Sequence, residues 1–330
     1  MYDFLSIGDT QLDTVMVLSP EEVEIKCQLN KDDCLMCLDY ASKVPVTQFY
    51  EMVAGNAANA AVTGARLDGK TLFWTLLGHD DIAAKQLEHF RSEGIDTAFA
   101  QQVPGAQSHR SVVVSVSGER TILVYHAPRQ YIFPDDLPPA KWIYLTSMAK
   151  GSESVFEPLA AYIAKTGAKL AFQPGTFQLR LGAAPASGLL KVTELIIMNK
   201  EEAELYTDQQ PGSIRQLLDA LRVLGPKIVV ITDSTRGSYA TDGTQYWFLG
   251  TRPEIPRIEA TGAGDAFSSA LTVALLEGQS LPEAMRWGTF NAESVIQKVG
   301  PQVGILTKTQ LQEQVTRNLE FQATELKEDA

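Results

Sequence analysis

The chain has 330 residues, 45% of them hydrophobic, and a formal net charge of -12. Its length suits one large α/β domain or two smaller ones with a substantial core. The acidic balance argues against a broad surface for a nucleic-acid backbone, and no apolar run approaches the ~20 residues of a membrane span. Met1-Tyr2-Asp3-Phe4 offers no basic region leading into an apolar stretch, so no signal peptide is expected. Cys27, Cys34 and Cys37 are few and odd in number. That fits a reduced cytoplasm better than a disulfide framework, and a cytoplasmic protein is the expectation.

From the N-terminus, Phe4–Gly8 reads as a buried first strand, Asn56–Leu67 as a helix, Thr71–Leu77 as a strand and Ile82–Glu93 as a helix. Trp142–Leu145, Lys169–Phe172, Glu194–Met198 and Lys227–Ile231 read as further strands. Helical patterns at Ser154–Lys165, Glu201–Tyr206 and Ile214–Leu224 separate them, and Leu281–Gln297 reads as a late helix. Such alternation implies a mostly parallel sheet covered on both faces. Val15–Pro45 and Ser111–Tyr125 break it and read as strands with no helix between, the second alternating around Val112, Val114 and Val116. Residues 320–330 are polar and acidic and read as a frayed tail.

Thr261-Gly262-Ala263-Gly264-Asp265-Ala266-Phe267 is the segment richest in chemistry. Leu271, Ala274 and Leu275 follow at helical spacing, so the small residues lie just before a helix. A helix N-terminus offers unpaired N–H groups and a partial positive charge, which suits a phosphate. Glycines let that anion approach the backbone. A carboxylate there would repel a phosphate, so Asp265 is better placed to deprotonate a hydroxyl that attacks one. Its pKa is expected to be low beside the helix end. The backbone amides of Gly262, Ala263 and Gly264 are the candidates to hold the transferring oxygens.

The segment resembles the C-terminal signature of the ribokinase-like (PfkB) family of carbohydrate and nucleoside kinases. Val53-Ala54-Gly55-Asn56-Ala57-Ala58-Asn59 resembles that family's Gly-Gly-x-x-x-Asn segment, with Ala54 in place of the first glycine. Gly8-Asp9-Thr10-Gln11-Leu12-Asp13 is similar to the end of its first strand, where a substrate-binding Asp lies. Asn199-Lys200-Glu201-Glu202 matches its Asn-x-x-Glu motif, and Thr232-Asp233-Ser234-Thr235-Arg236-Gly237 resembles its nucleotide segment, with Ser234 replacing a glycine. These matches follow family order from about Tyr2 to about Leu306. The resemblance implies a ribokinase-like α/β domain over 1–319, with a small β-sheet lid from segments near 14–46 and 108–126. It implies that Asp13, Gly55, Asn56 and Asn59 bind substrate, with Arg110 within reach of a substrate oxygen. Asn199, Thr232, Gly237 and Asn291 would border the nucleotide, and Glu202 would hold Mg²⁺, directly or through water. Asn199-x-x-Glu202 also reads as a helix capping box, and one geometry can serve both roles. Many members carry a K⁺ ion beside the anion hole, with an Asp six residues before the catalytic Asp; here that position is Glu259.

Gly64-Ala65-Arg66-Leu67-Asp68-Gly69-Lys70-Thr71 satisfies the Walker A pattern. It runs from helix to strand, the reverse of a phosphate-binding loop, so it is read as a helix end with Gly69 at the C-cap. Cys34-Leu35-Met36-Cys37 lacks a second Cys-x-x-Cys partner and is read as lid strand rather than as metal ligands. The reading is an ATP- and Mg²⁺-dependent kinase acting on a hydroxyl of a small sugar, ribose- or fructose-like. A nucleoside kinase on the same scaffold is the nearest rival, with Phe49, Tyr125 or Tyr131 as base-stacking candidates. A sugar-sensing protein that has lost catalysis is the rival from another class. Exposed lid edges suit a lid-to-lid homodimer.

Overall fold

The computed structural model describes residues 1–27, 34–117, 119–209 and 212–326. The chain starts with β1 (Tyr2–Ile7), whose six residues bury both faces from Phe4 onward. It crosses into β2 (Gln11–Leu18), a projecting hairpin of β3 (Glu24–Cys27) and β4 (Cys34–Cys37), and β5 (Val46–Ala54). Helix α1 (Asn56–Arg66), β6 (Thr71–Leu77), α2 (Asp81–Ser92) and β7 (Ala100–Gln102) follow, then β8 (His109–Val116) and β9 (Glu119–Tyr125). The alternation resumes with β10 (Ala140–Leu145), α3 (Phe156–Thr166), β11 (Lys169–Phe172), α4 (Thr176–Leu181), α5 (Ser187–Leu190), β12 (Thr193–Asn199), α6 (Lys200–Thr207), α7 (Ile214–Val223) and β13 (Ile228–Thr232). The chain ends through β14 (Ser238–Thr241), β15 (Tyr246–Leu249), α8 (Ala263–Leu276), α9 (Leu281–Ile296), α10 (Lys308–Arg317) and β16 (Thr324–Glu325).

The main sheet has ten strands in the order β16-β15-β14-β13-β12-β11-β10-β1-β6-β7, parallel from β13 to β7 and antiparallel beyond β13. Both faces are covered, which is why its central strands are near-continuous apolar runs. Leu5, Ile7, Trp74 and Phe172 pack on one face with residues of α3 and α7. Phe4, Tyr144, Ile197 and Val230 pack on the other with α8 and α9. A smaller cluster joins α1 to Phe73 and Phe90. The result is a mostly parallel α/β sheet covered on both faces, with a separate four-stranded sheet, in the order β5-β2-β8-β9, where the lid was expected.

Several expectations need correction. Asp13 lies not at the end of the first strand but on lid strand β2, where it pairs with Met52 and Ser111. The lid strand that returns is Val46–Ala54, beyond the boundary expected near residue 46, and the β3–β4 hairpin forms a sheet of its own. Cys27 and Cys34 face each other across that hairpin and are joined as a disulfide, with Cys37 free. Cys37 pairs instead with Glu24, on the other side of the pleat. A cross-strand pair can be bridged over a short loop, which counting cysteines does not detect. Residues 320–326 are not a frayed tail: β16 pairs with β15, and Leu326 is buried. Residues 327–330 lie outside the described residues. At the Walker-like segment the left-handed residue is Asp68 (φ 64), not Gly69. The Gly69 amide closes on the Gly64 carbonyl at 3.0 Å, and Thr71 enters β6, so the order is helix, turn, strand.

Candidate active site

The ends of the parallel strands that point toward the lid carry the polar residues, the usual place for a ligand in an open α/β sheet. Gln173 follows β11, Asn199 ends β12 and Thr232 ends β13. Between them and the lid lies a cleft of about 320 Å³ lined by Asp13, Asn59, Gln173, Glu202 and Asp265. A second cleft of about 430 Å³ lies beyond Thr232 and is walled by apolar residues that include Ile255, Phe267, Ala292 and Ile296. The two share Thr232 and Gly264. Their junction is the first turn of α8.

That turn forms because Gly262 takes φ 79, a left-handed conformation in which a Cβ would sit 2.5 Å from Cβ of Pro301. The Ala266 amide is the first to close a helical bond, onto the Gly262 carbonyl at 2.9 Å. The amides before it are orphans of the helix end. Ala263 is the exception, because its amide reaches the Ala260 carbonyl at 3.3 Å, so its expected share in an anion hole is weakened. Gly264 is exposed to the clefts, with only Gln173 Nε2 within 4.0 Å of where a Cβ would stand.

Asp265 is buried, 8% exposed, and accepts a 2.8 Å hydrogen bond from Asn59 Nδ2. Gln302 Nε2 donates to Asn59 Oδ1 at 2.9 Å and so fixes the Asn59 amide. Burial pushes the Asp265 carboxyl up to about 6; the Asn59 hydrogen bond opposes this, and the charge of Glu202 adds to it. The expected low value is therefore reversed: loss of water outweighs the helix end. Asp13 is also buried, which raises its pKa against the hydrogen bonds it accepts from Ser111 and Gln11.

Asn199 and Glu202 form the capping box. Asn199 Oδ1 accepts from the Glu202 amide at 2.8 Å, and Glu202 Oε2 accepts from the Asn199 amide at 2.9 Å. Both line the cleft of about 320 Å³. Burial raises the Glu202 pKa. Its second oxygen makes no protein hydrogen bond among the described residues, and a single hard-oxygen donor suits Mg²⁺, which keeps most of its water. No group of three or more His, Cys, Asp or Glu that could hold a metal occurs among the described residues. Glu259 accepts from the Thr261 hydroxyl and, at 2.9 Å, from the Gly300 amide.

Two expected residues fall elsewhere. Arg110 is exposed on the lid, with Nη2 3.8 Å from Asp80, and lines neither cleft. Asn291 is fully buried: it donates to the Ala266 carbonyl at 2.9 Å and accepts from the Leu306 amide, tying α9 to α8. Its helix neighbours Thr289, Ala292 and Glu293 line the apolar cleft instead. Gly55 and Asn56 line the polar cleft, Gly237 the apolar one, and Thr232 both. Phe49 and Tyr125 are exposed, while Tyr131 is buried and donates to Asp9 at 2.7 Å. None of the three lines the polar cleft. Sequence reasoning missed Gln173 and Arg120, which do.

An open α/β sheet with a lid, a buried carboxylate at a helix N-terminus and two clefts meeting there define a class of small-molecule phosphotransferases. Residues 16–308 match the pfkB family of carbohydrate kinases, and the chain belongs to that family. As a member it is an ATP-dependent carbohydrate kinase. It is 30% identical over 269 residues to the ribokinase of Haemophilus influenzae, covering 77% of this chain and 84% of that protein. It is 25% identical over 258 residues to a nucleoside kinase of Methanothermobacter thermautotrophicus, covering 76% and 80%. The solved structure of Arabidopsis thaliana ribokinase complexed with ribose and ATP shares the fold at a TM-score of 0.78 and 19% identity, covering 95% of this chain and 98% of that one.

Proposed function

We propose that the protein transfers the γ-phosphoryl group of ATP to a hydroxyl of a small sugar, ribose- or fructose-like in size. The observation that carries this reading is Asp265, buried with a pKa pushed up to about 6, at the junction of a polar and an apolar cleft. Phosphoryl transfer asks a protein mainly for position and charge stabilisation. Asp265 accepts the proton of the attacking hydroxyl, and a pKa near 6 suits a base working at neutral pH. Asn59, itself held by Gln302, keeps the carboxylate oriented. The orphan amides around Gly262 and Gly264 hold the phosphoryl oxygens; losing one such donor typically costs about 3 kcal/mol of transition-state stabilisation. Asp13 and Asn59 bind sugar hydroxyls, and the apolar cleft takes the adenine. Mg²⁺, held at Glu202 through water, would neutralise phosphate charge.

No aromatic side chain lines the polar cleft among the described residues, which favours a sugar over a nucleoside as acceptor. Ribokinases and nucleoside kinases both stand among the relatives. The test is ADP release across a panel of sugars and nucleosides, with the phosphorylated product identified by mass spectrometry. A sugar phosphate as the main product supports the reading, and a nucleoside monophosphate overturns the acceptor assignment. A lid-to-lid homodimer through the β5 or β9 edge belongs to the same proposal, and light scattering would detect it.

A further inference from the structure

Arg120 lies on lid strand β9 and lines the acceptor cleft together with Ile122. It is the one cationic side chain among the described residues lining that cleft, where Asp13, Glu202 and Asp265 supply three carboxylates. Each of those carboxylates accepts its hydrogen bonds from residues other than Arg120: Asp13 from Gln11 and Ser111, Asp265 from Asn59, and Glu202 from the Asn199 amide. Among the described residues Arg120 makes no ion pair or side-chain hydrogen bond, unlike Arg110, which lies against Asp80. Arg120 is half-buried and lines the cleft, with no side-chain partner among the described residues.

Register fixes where it stands. On one face of the lid, Asp13 pairs with Ser111 and Val15 with Val113; Ser111 in turn pairs with Val124, Val113 with Ile122, and Ser115 with Arg120. Arg120 is therefore four residues along the strand from the Asp13 row, roughly 13 Å at strand spacing. Ile122 fills the row between. Sugar hydroxyls call for short acceptors and amides, which Asp13 and Asn59 already provide. A guanidinium fork at the far end matches a carboxylate or a phosphate, the groups it binds with two parallel hydrogen bonds.

We propose that the acceptor sugar carries an anionic group, a carboxylate or a phosphate monoester, and that Arg120 binds it. This rests on the reading of the polar cleft as the acceptor site and specifies the acceptor's charge. The test is kcat/KM for ATP-dependent phosphorylation of matched neutral sugars, sugar acids and sugar monophosphates. The wild-type protein should prefer one anionic class over its neutral counterpart by at least tenfold; the two anionic arms tell carboxylate from phosphate. Arg120→Gln should lower that preference on the order of 10- to 100-fold, the range for a hydrogen bond to a charged group, and mainly through KM. Arg120→Lys, which keeps the charge but loses the fork, should retain part of it and fall between the wild type and Arg120→Gln. A wild-type preference for neutral sugars would overturn the proposal and leave the sugar-kinase reading standing. An equal fall in kcat for all acceptors would assign Arg120 to the transferring phosphoryl instead, which also overturns it. If no sugar of any class is phosphorylated, both readings fall together.

Discussion

At the scale of single residues, Asp265 decides the chemistry, and its titration is measurable. A base must be ionised, so kcat/KM should rise with pH on the acid side with a midpoint near 6, the value its burial gives. A midpoint near 4, the ordinary carboxylate range, would show that water reaches the group. The same shift bears on stability. A carboxyl raised in the folded state favours folding while protonated; that contribution is full below the unfolded value of ~3.9 and is lost as pH rises through about 6. Ionised Asp265 thus destabilises the free protein at neutral pH, by at most about 3 kcal/mol. Asp265→Asn should raise the melting temperature at pH 7.5 and change it little at pH 4. Equal effects at both values would contradict this. Asp265, Asp13 and Asn59 were picked out in the sequence by short motifs, and the fold brings all three to one cleft, with Asp13 on β2 rather than at the end of β1. The pKa of Asp265 was not, since it depends on residues such as Asn59, Glu202 and Gln173 brought in from other elements. Arg120 was missed for a related reason: only β8–β9 register brings it to the cleft.

At the scale of elements, the strand–helix alternation was readable over most of the parallel part of the sheet, because apolar runs and helical spacing differ plainly there; the three-residue β7 and the short α4 and α5 between β11 and β12 were not read. The β14–β15 hairpin and β16 were not either, because antiparallel strands of four, four and two residues are too short to carry a pattern. The Walker-like segment shows why order matters more than spelling. Lys70 is exposed and stacks over the Tyr2 ring at 4.6 Å, away from both clefts. Lys70→Ala should leave ATP turnover within about threefold of the parent, and a collapse of activity in a folded variant would refute that placement. The lid makes its own prediction. Strand β9 is largely exposed, and the lid sheet has little core of its own, so open and closed states should differ modestly in energy. A sugar that is phosphorylated should slow hydrogen exchange in β2, β5, β8 and β9 more than ATP alone does. Unchanged exchange in all four strands would rule out closure of the lid over the acceptor.

At the scale of the molecule, the account depends on two clefts converging on one turn. Neither is complete within a single stretch of chain. Asn59 reaches Asp265 across 206 residues of sequence, and Gln302 reaches Asn59 across 243. The fold brings them together by placing α1 and α8 side by side, both opening toward the lid. No helix among the described residues is long and apolar enough to cross a membrane. The most direct test of the central claim is the turnover of Asp265→Asn, with calorimetric titration of both ligands on the same preparation. The account predicts that ATP and sugar still bind and that kcat falls by a factor on the order of 10²–10⁴. Near-normal turnover by a correctly folded Asp265→Asn protein would contradict it.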